Sequence, residues 1–88
     1  MLNISITVFG KDSICDIEAS YVRKLDGSEV DTKDISSIKE YVDYFLCSES
    51  LDNFSTKAYS PFGKFAVFVY KSHYVENTIL VTWEHFQS

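Results

Sequence analysis

Hydrophobic and polar residues alternate along the first segment of the chain: Leu2, Ile4, Ile6 and Val8 fall on one side, Asn3, Ser5 and Thr7 on the other. A period of two is that of a strand with one buried face, and it predicts a β-strand over residues 2–9. The same period returns over residues 14–24, with Cys15, Ile17, Ala19 and Tyr21 expected inward and Asp16, Glu18 and Ser20 outward. Gly10-Lys11-Asp12-Ser13 has turn composition, and so short a connection predicts an antiparallel hairpin. Asp26-Gly27, a strong hairpin dipeptide, predicts a further turn into a short third strand over residues 28–33. The outer side of that strand is nearly all polar, as befits a sheet edge blunted by charge.

The period then changes. Ile38, Tyr41, Val42, Phe45 and Leu46 recur at i, i+3, i+4, i+7 and i+8, the single apolar stripe of an amphipathic helix. Ser37-Ile38-Lys39-Glu40 fits a capping box at its start, and Asp34 adds a negative charge ahead of the positive end of the helix. Phe45 is expected in the core, where its truncation to Ala would cost about 3–5 kcal/mol. Ser48 to Thr56 has turn composition, tacked down by Leu51 and Phe54, and strand character resumes around Lys57-Ala58-Tyr59. After a turn at Ser60-Pro61-Phe62-Gly63, Phe65 to Tyr70 is apolar on both faces, the signature of a strand inside a sheet. His73 to Asn77 is the next turn, and Ile79, Val81 and Trp83 alternate with Thr78, Thr82 and Glu84 in a last strand. The pattern predicts an α+β fold: an antiparallel sheet of four to six strands with one amphipathic helix packed on one face, in the order βββα and then two or three strands.

Length changes this picture little. Eighty-eight residues make a single domain, 1–88, since half that length could not bury a core. Seven Phe, six Tyr and Trp83 give a small chain the large apolar side chains it needs. The opening residues lack the basic stretch and cleavage site of a secretory signal, and no apolar run approaches the roughly 20 residues that span a bilayer. Cys15 and Cys47 stand without a framework of further cysteines; they are expected reduced and at least half-buried, the alternative being one disulfide. The expected location is the cytoplasm of a bacterial host cell, with no membrane partner.

Charge changes it more. The net charge is −5, but residues 12–52 hold eleven carboxylates against four cations, a local balance of −7, while residues 53–88 are slightly positive. Nothing here is the basic footprint that direct nucleic-acid binding requires. An acidic half steers instead towards a basic protein or ribonucleoprotein. Asp26, Glu29, Asp31 and Asp34 cluster around the expected third strand, where alternation would set Glu29 and Asp31 about 7 Å apart on one face, close to the spacing of successive phosphates. Glu40, Asp43 and Tyr44 lie off the apolar stripe of the helix. These seven residues are the candidate partner-binding set. Two readings of them stand: a nucleic-acid-like row with Tyr44 as an interface anchor, or a hydrated edge with Tyr44 lying over the sheet.

Catalytic signatures are missing. There is no GxSxG-type nucleophile elbow, and three scattered glycines build no phosphate cradle. Cys15, Cys47, His73 and His85 show none of the short spacings that place two ligands on one zinc ion. His85 is expected at the surface of the last strand. The expectation is a non-enzymatic binding domain, monomeric or homodimeric, with no metal or cofactor.

The segments I-T-V-F (6–9), S-I-C-D-I-E-A (13–19), D-G-S-E-V (26–30) and D-I-S-S-I-K-E-Y-V-D-Y-F-L (34–46) together resemble small phage anti-CRISPR proteins directed against type I surveillance complexes. The resemblance covers about half the chain; the strand-rich remainder departs from members that carry a second helix there. It implies a stoichiometric inhibitor that occupies a basic DNA channel or a Cas subunit, a DNA mimic in the broad sense. Over residues 2–13, L-N-I-S-I-T-V-F-G-K-D-S, the chain is similar to the first strand of nuclease-bacteriocin immunity proteins. That similarity implies the alternative, an immunity protein or antitoxin that neutralises a cationic nuclease toxin.

Overall fold

The computed structural model describes residues 1–10, 17–26, 28–47 and 50–85. Along the chain stand β1 (Leu2–Phe9), β2 (Ile17–Leu25), a helix α1 (Ile35–Leu46), a single 3₁₀ turn (Leu51–Asn53), β3 (Phe54–Ser60), β4 (Phe65–Lys71) and β5 (Glu76–His85). The five strands form one sheet in the order β2-β1-β5-β4-β3, and every neighbouring pair is antiparallel. The chain is thus α+β, with β1 and β5 meeting at the middle of the sheet.

Register explains the core. Ile4 lies opposite Trp83, Ile6 opposite Val81 and Val8 opposite Ile79; Ala66 and Phe68 continue the last two rows onto β4. Leu2, Ile4, Ile6, Ala66, Phe68, Ile79, Val81 and Trp83 are all buried, in one cluster with Ile38 and Val42 of the helix. The period of 3.6 in the helix and of 2 in the strands therefore converge on one apolar layer. Phe54, at the start of edge strand β3, closes this layer with its ring 6.3 Å from that of Phe68.

The helix begins earlier than a capping box at Ser37 would place it. Asp34 is the N-cap, its carboxylate accepting the Ser36 amide at 3.0 Å, while the Ser37 hydroxyl accepts the amide of Asp31. Cys47 ends the helix in the left-handed region (φ 52°), its amide donating to the last carbonyls. Its side chain is exposed, not half-buried, because that cap turns it off the apolar stripe; Cys15 lies outside the described residues.

Two further expectations are corrected. Residues 28–33 form no strand, so the order is ββα followed by three strands rather than βββα. Side chains capture the backbone there: the Asp26 carboxylate accepts the Ser28 amide, the Asp31 carboxylate accepts the Lys33 amide, and Glu29 and Asp34 amides close turns onto Asp26 and Asp31 carbonyls. Such Asx turns compete directly with a sheet ladder. Val30 is buried and plugs the core from within this double turn. In β2, a bulge shifts register between Val8 and Phe9, so that Ala19 pairs with Val8 and Ile17 with Phe9. Ile17 is thereby turned away from the core and left 58% exposed, whereas Glu18 accepts a 2.9 Å hydrogen bond from the Asn77 carboxamide.

Phe45 also differs from expectation: it is half-buried at the margin of the core rather than inside it. Truncating Phe68, which is fully buried, to Ala should cost about 3–5 kcal/mol in urea denaturation, enough to unfold much of a domain this small. Phe45→Ala should cost about 1–2 kcal/mol and leave a cooperative transition, since water already reaches part of the ring.

Candidate protein-binding face

With Ile38 and Val42 buried, the opposite side of the helix is presented outward, and its composition is aromatic and acidic. Tyr44 is 79% exposed, so it stands free of the sheet rather than lying over it. Ser37, Glu40, Tyr41 and Tyr44, one turn apart along the helix, line a shallow depression of about 400 Å³ whose remaining wall is Glu29. Glu29 comes from the double turn, held in place by the Asp26 amide, which donates to its carboxylate at 2.9 Å.

The edge strand β2 extends this face. The Tyr21 ring meets Phe45 edge-on at 5.0 Å, Tyr41 stacks on the other side of Phe45 at 6.1 Å, and the Arg23 guanidinium lies 5.4 Å from the Phe45 centroid. Tyr21 and Arg23 occupy the same face of β2, two residues apart, which is why both reach the helix. The cation over the ring, the stacked Tyr41 and the edge-on Tyr21 restrain side chains that would otherwise lose entropy on binding. Burial raises the Tyr41 phenol above its ordinary value; Arg23 opposes the shift, while Glu29 and Tyr44 add to it.

The candidate carboxylates do not form one row. Glu29 and Glu40 flank Tyr44. Asp31 and Asp34 lie towards Tyr59 on the far side of the double turn: burial raises the Tyr59 phenol and these two carboxylates raise it further. The Tyr59 hydroxyl donates a 2.7 Å hydrogen bond to the Thr32 carbonyl, tying β3 to that turn. Asp26 is spent on the turn, accepting both the amide and the hydroxyl of Ser28. Asp43 is half-buried and has a partner of its own. Without a strand at 28–33, nothing sets Glu29 and Asp31 on a common face at phosphate spacing.

Tyr21, Arg23, Tyr41 and Phe45 are the residues that sequence reasoning did not place in this site. The spacing of Tyr21 and Arg23 on one strand face was a signal, but not that this face would meet the helix. Among the described residues no group of three or more His, Cys, Asp and Glu could hold a metal ion, and no helix is long and apolar enough to cross a membrane. No protein-family model, no curated protein and no solved structure matches the chain.

A phenol that is harder to ionise folded than unfolded stabilises the fold fully below its ordinary value of 10.0, and that stability is lost as pH rises through the raised value. Thermal melts should therefore fall steeply above about pH 10. Tyr59→Phe should cost about 1–2 kcal/mol at neutral pH, because the Thr32 carbonyl loses its donor, and should flatten part of the alkaline fall.

Proposed function

We propose that this chain is a stoichiometric, non-catalytic protein inhibitor whose acidic-aromatic helix face docks on a basic surface of a CRISPR-Cas surveillance complex and blocks its binding of target DNA. One observation supports this reading above the rest: Tyr44, 79% exposed, lines a depression with Glu29, Glu40 and Tyr41, and Tyr41 stacks on Phe45, which Tyr21 meets edge-on. Tyrosine and arginine concentrate binding energy at protein interfaces, and a tyrosine held on a rigid helix loses little freedom when it docks. Surrounding carboxylates draw a cationic partner from a distance and contribute mainly to association rate. The resemblance of the stretch from Ile6 to Cys47 to small phage anti-CRISPR proteins suggests the class of target.

Affinity capture from a bacterial host lysate at low and moderate salt tests the proposal. Recovery of Cas subunits together with guide RNA supports it. Capture of a single basic nuclease would replace it with the immunity-protein reading, and capture of nothing at either salt would remove the basis for both. With the target in hand, Tyr44→Ala should weaken binding about 30-fold, roughly 2 kcal/mol, through faster dissociation. Glu40→Lys should instead slow association and flatten its dependence on ionic strength, leaving the melting temperature unchanged. Asp43 is the poorer choice for charge reversal, since it is engaged within the fold.

A further inference from the structure

The helix covers one face of the sheet; the residues pointing the other way make a second surface with different physics. Three rows cross all five strands on that side: Ala58-Val67-Leu80-Thr7-Ser20, Ser60-Phe65-Thr82-Ser5-Val22 and Ser55-Val69-Thr78-Phe9-Ile17. None of these fifteen residues is charged, on a chain whose net charge is −5. Among the described residues, charge on this face stands at its two ends, Lys71 beside Glu76 at one and Lys24 and Glu84 flanking Asn3 at the other, and at the exposed Lys57, which bulges beside Ala58 on edge strand β3. A solvated sheet face ordinarily carries polar side chains in alternation with the buried ones. β4 breaks that rule, since Phe65, Val67 and Val69 face away from the helix. Towards the β2 edge the same face leaves Ile17 58% and Val22 63% exposed.

We propose that this face is the seat of a second copy of the chain, two sheets packing face to face in a symmetric dimer with the acidic helices outward. The uncharged rows favour self-association over a basic partner, which the charge of the chain would draw to the helix side instead. Sheets of equal twist pack aligned, at about 10 Å separation, with inner side chains interdigitated. The area is of the right order. Five strands about 4.8 Å apart, each about seven residues long at about 3.3 Å per residue and turning alternate side chains outward, give a face of roughly 24 by 23 Å. Side-chain relief brings that footprint towards the roughly 800 Å² per partner of a standard stable interface. Ends of zero net charge let two copies meet without the repulsion their helix faces would impose.

Sedimentation equilibrium on the whole chain decides the matter. The expected result is twice the 10.1 kDa chain mass at micromolar concentration. Val67→Glu and, separately, Thr82→Lys should each raise the dimer dissociation constant by more than about 30-fold, with the near-ultraviolet circular dichroism of the fold retained. Thr82 is already polar and outside the core, so its variant decides the question should Val67→Glu fail to fold. Glu40→Lys, on the helix face, should leave the dimer unchanged, which separates this surface from the one that docks the inhibitor's target. A wild-type chain that stays monomeric at about 100 µM, far above the dissociation constants of standard interfaces, would overturn the proposal. So would variants of both positions that fold and still dimerise.

Discussion

The pairing of β1 with β5 is the interaction on which the remainder depends. It joins Leu2 to His85 and runs eight residues to Phe9 and Thr78, so the two ends of the chain are zipped together at the middle of the sheet. Ile4-Trp83, Ile6-Val81 and Val8-Ile79 turn to the same face of that zipper and pack in one cluster with Ile38 and Val42 of the helix. A one-residue slip would turn every one of these side chains to the other face, so the core itself specifies the register. Such a contact is strongly non-local. The hairpin β1-β2 and the β3-β4-β5 meander are local units, but neither encloses a core until the ends meet.

What was legible in the sequence follows from this arrangement. The periods of β1, β5 and the helix were plain because each element buries one face against the same layer, and an element that packs on one side carries its own record of that. The third strand was misread because Val30 and Thr32 alternate with charged residues in a double turn just as they would in an edge strand. Period does not separate the two; the Asp26 and Asp31 carboxylates do, by taking the Ser28 and Lys33 amides that a ladder would need. The helix start shifted for a related reason. Asp34 and Ser37 are both competent caps, and the choice between them fell to Ser37 being used by the Asp31 amide. The inversion of Ile17 required the bulge beside Glu18, where the Asn77 carboxamide holds the carboxylate. That partner lies 59 positions away along the chain.

The candidate site was half legible for the same physical reason. Glu40 and Tyr44 could be placed outward from the helical period alone. Glu29 joins them through the geometry of the turn, and Tyr21 and Arg23 through the path of β2 alongside Phe45, neither of which leaves a local trace. The acidic cluster read as one feature along the sequence divides in space into a pair flanking Tyr44 and a pair beside Tyr59. Proximity in sequence is a poor guide to electrostatic grouping wherever the chain reverses direction every few residues.

Size sets the last constraint. A domain of 88 residues has one core layer, and here one helix and one five-stranded sheet share a single buried cluster. Composition is distributed accordingly. Charge is concentrated on the turn and helix, beside the cluster that Arg23 and Tyr21 make with Phe45. The second sheet face is kept free of charge across three rows and partly apolar. An uncharged, partly apolar face is a poor solvent boundary, whereas the acidic turn and helix carry most of the chain's net charge of −5. The two surfaces are therefore opposite in kind: charge gathers on the turn and helix and is kept off three rows of the other sheet face.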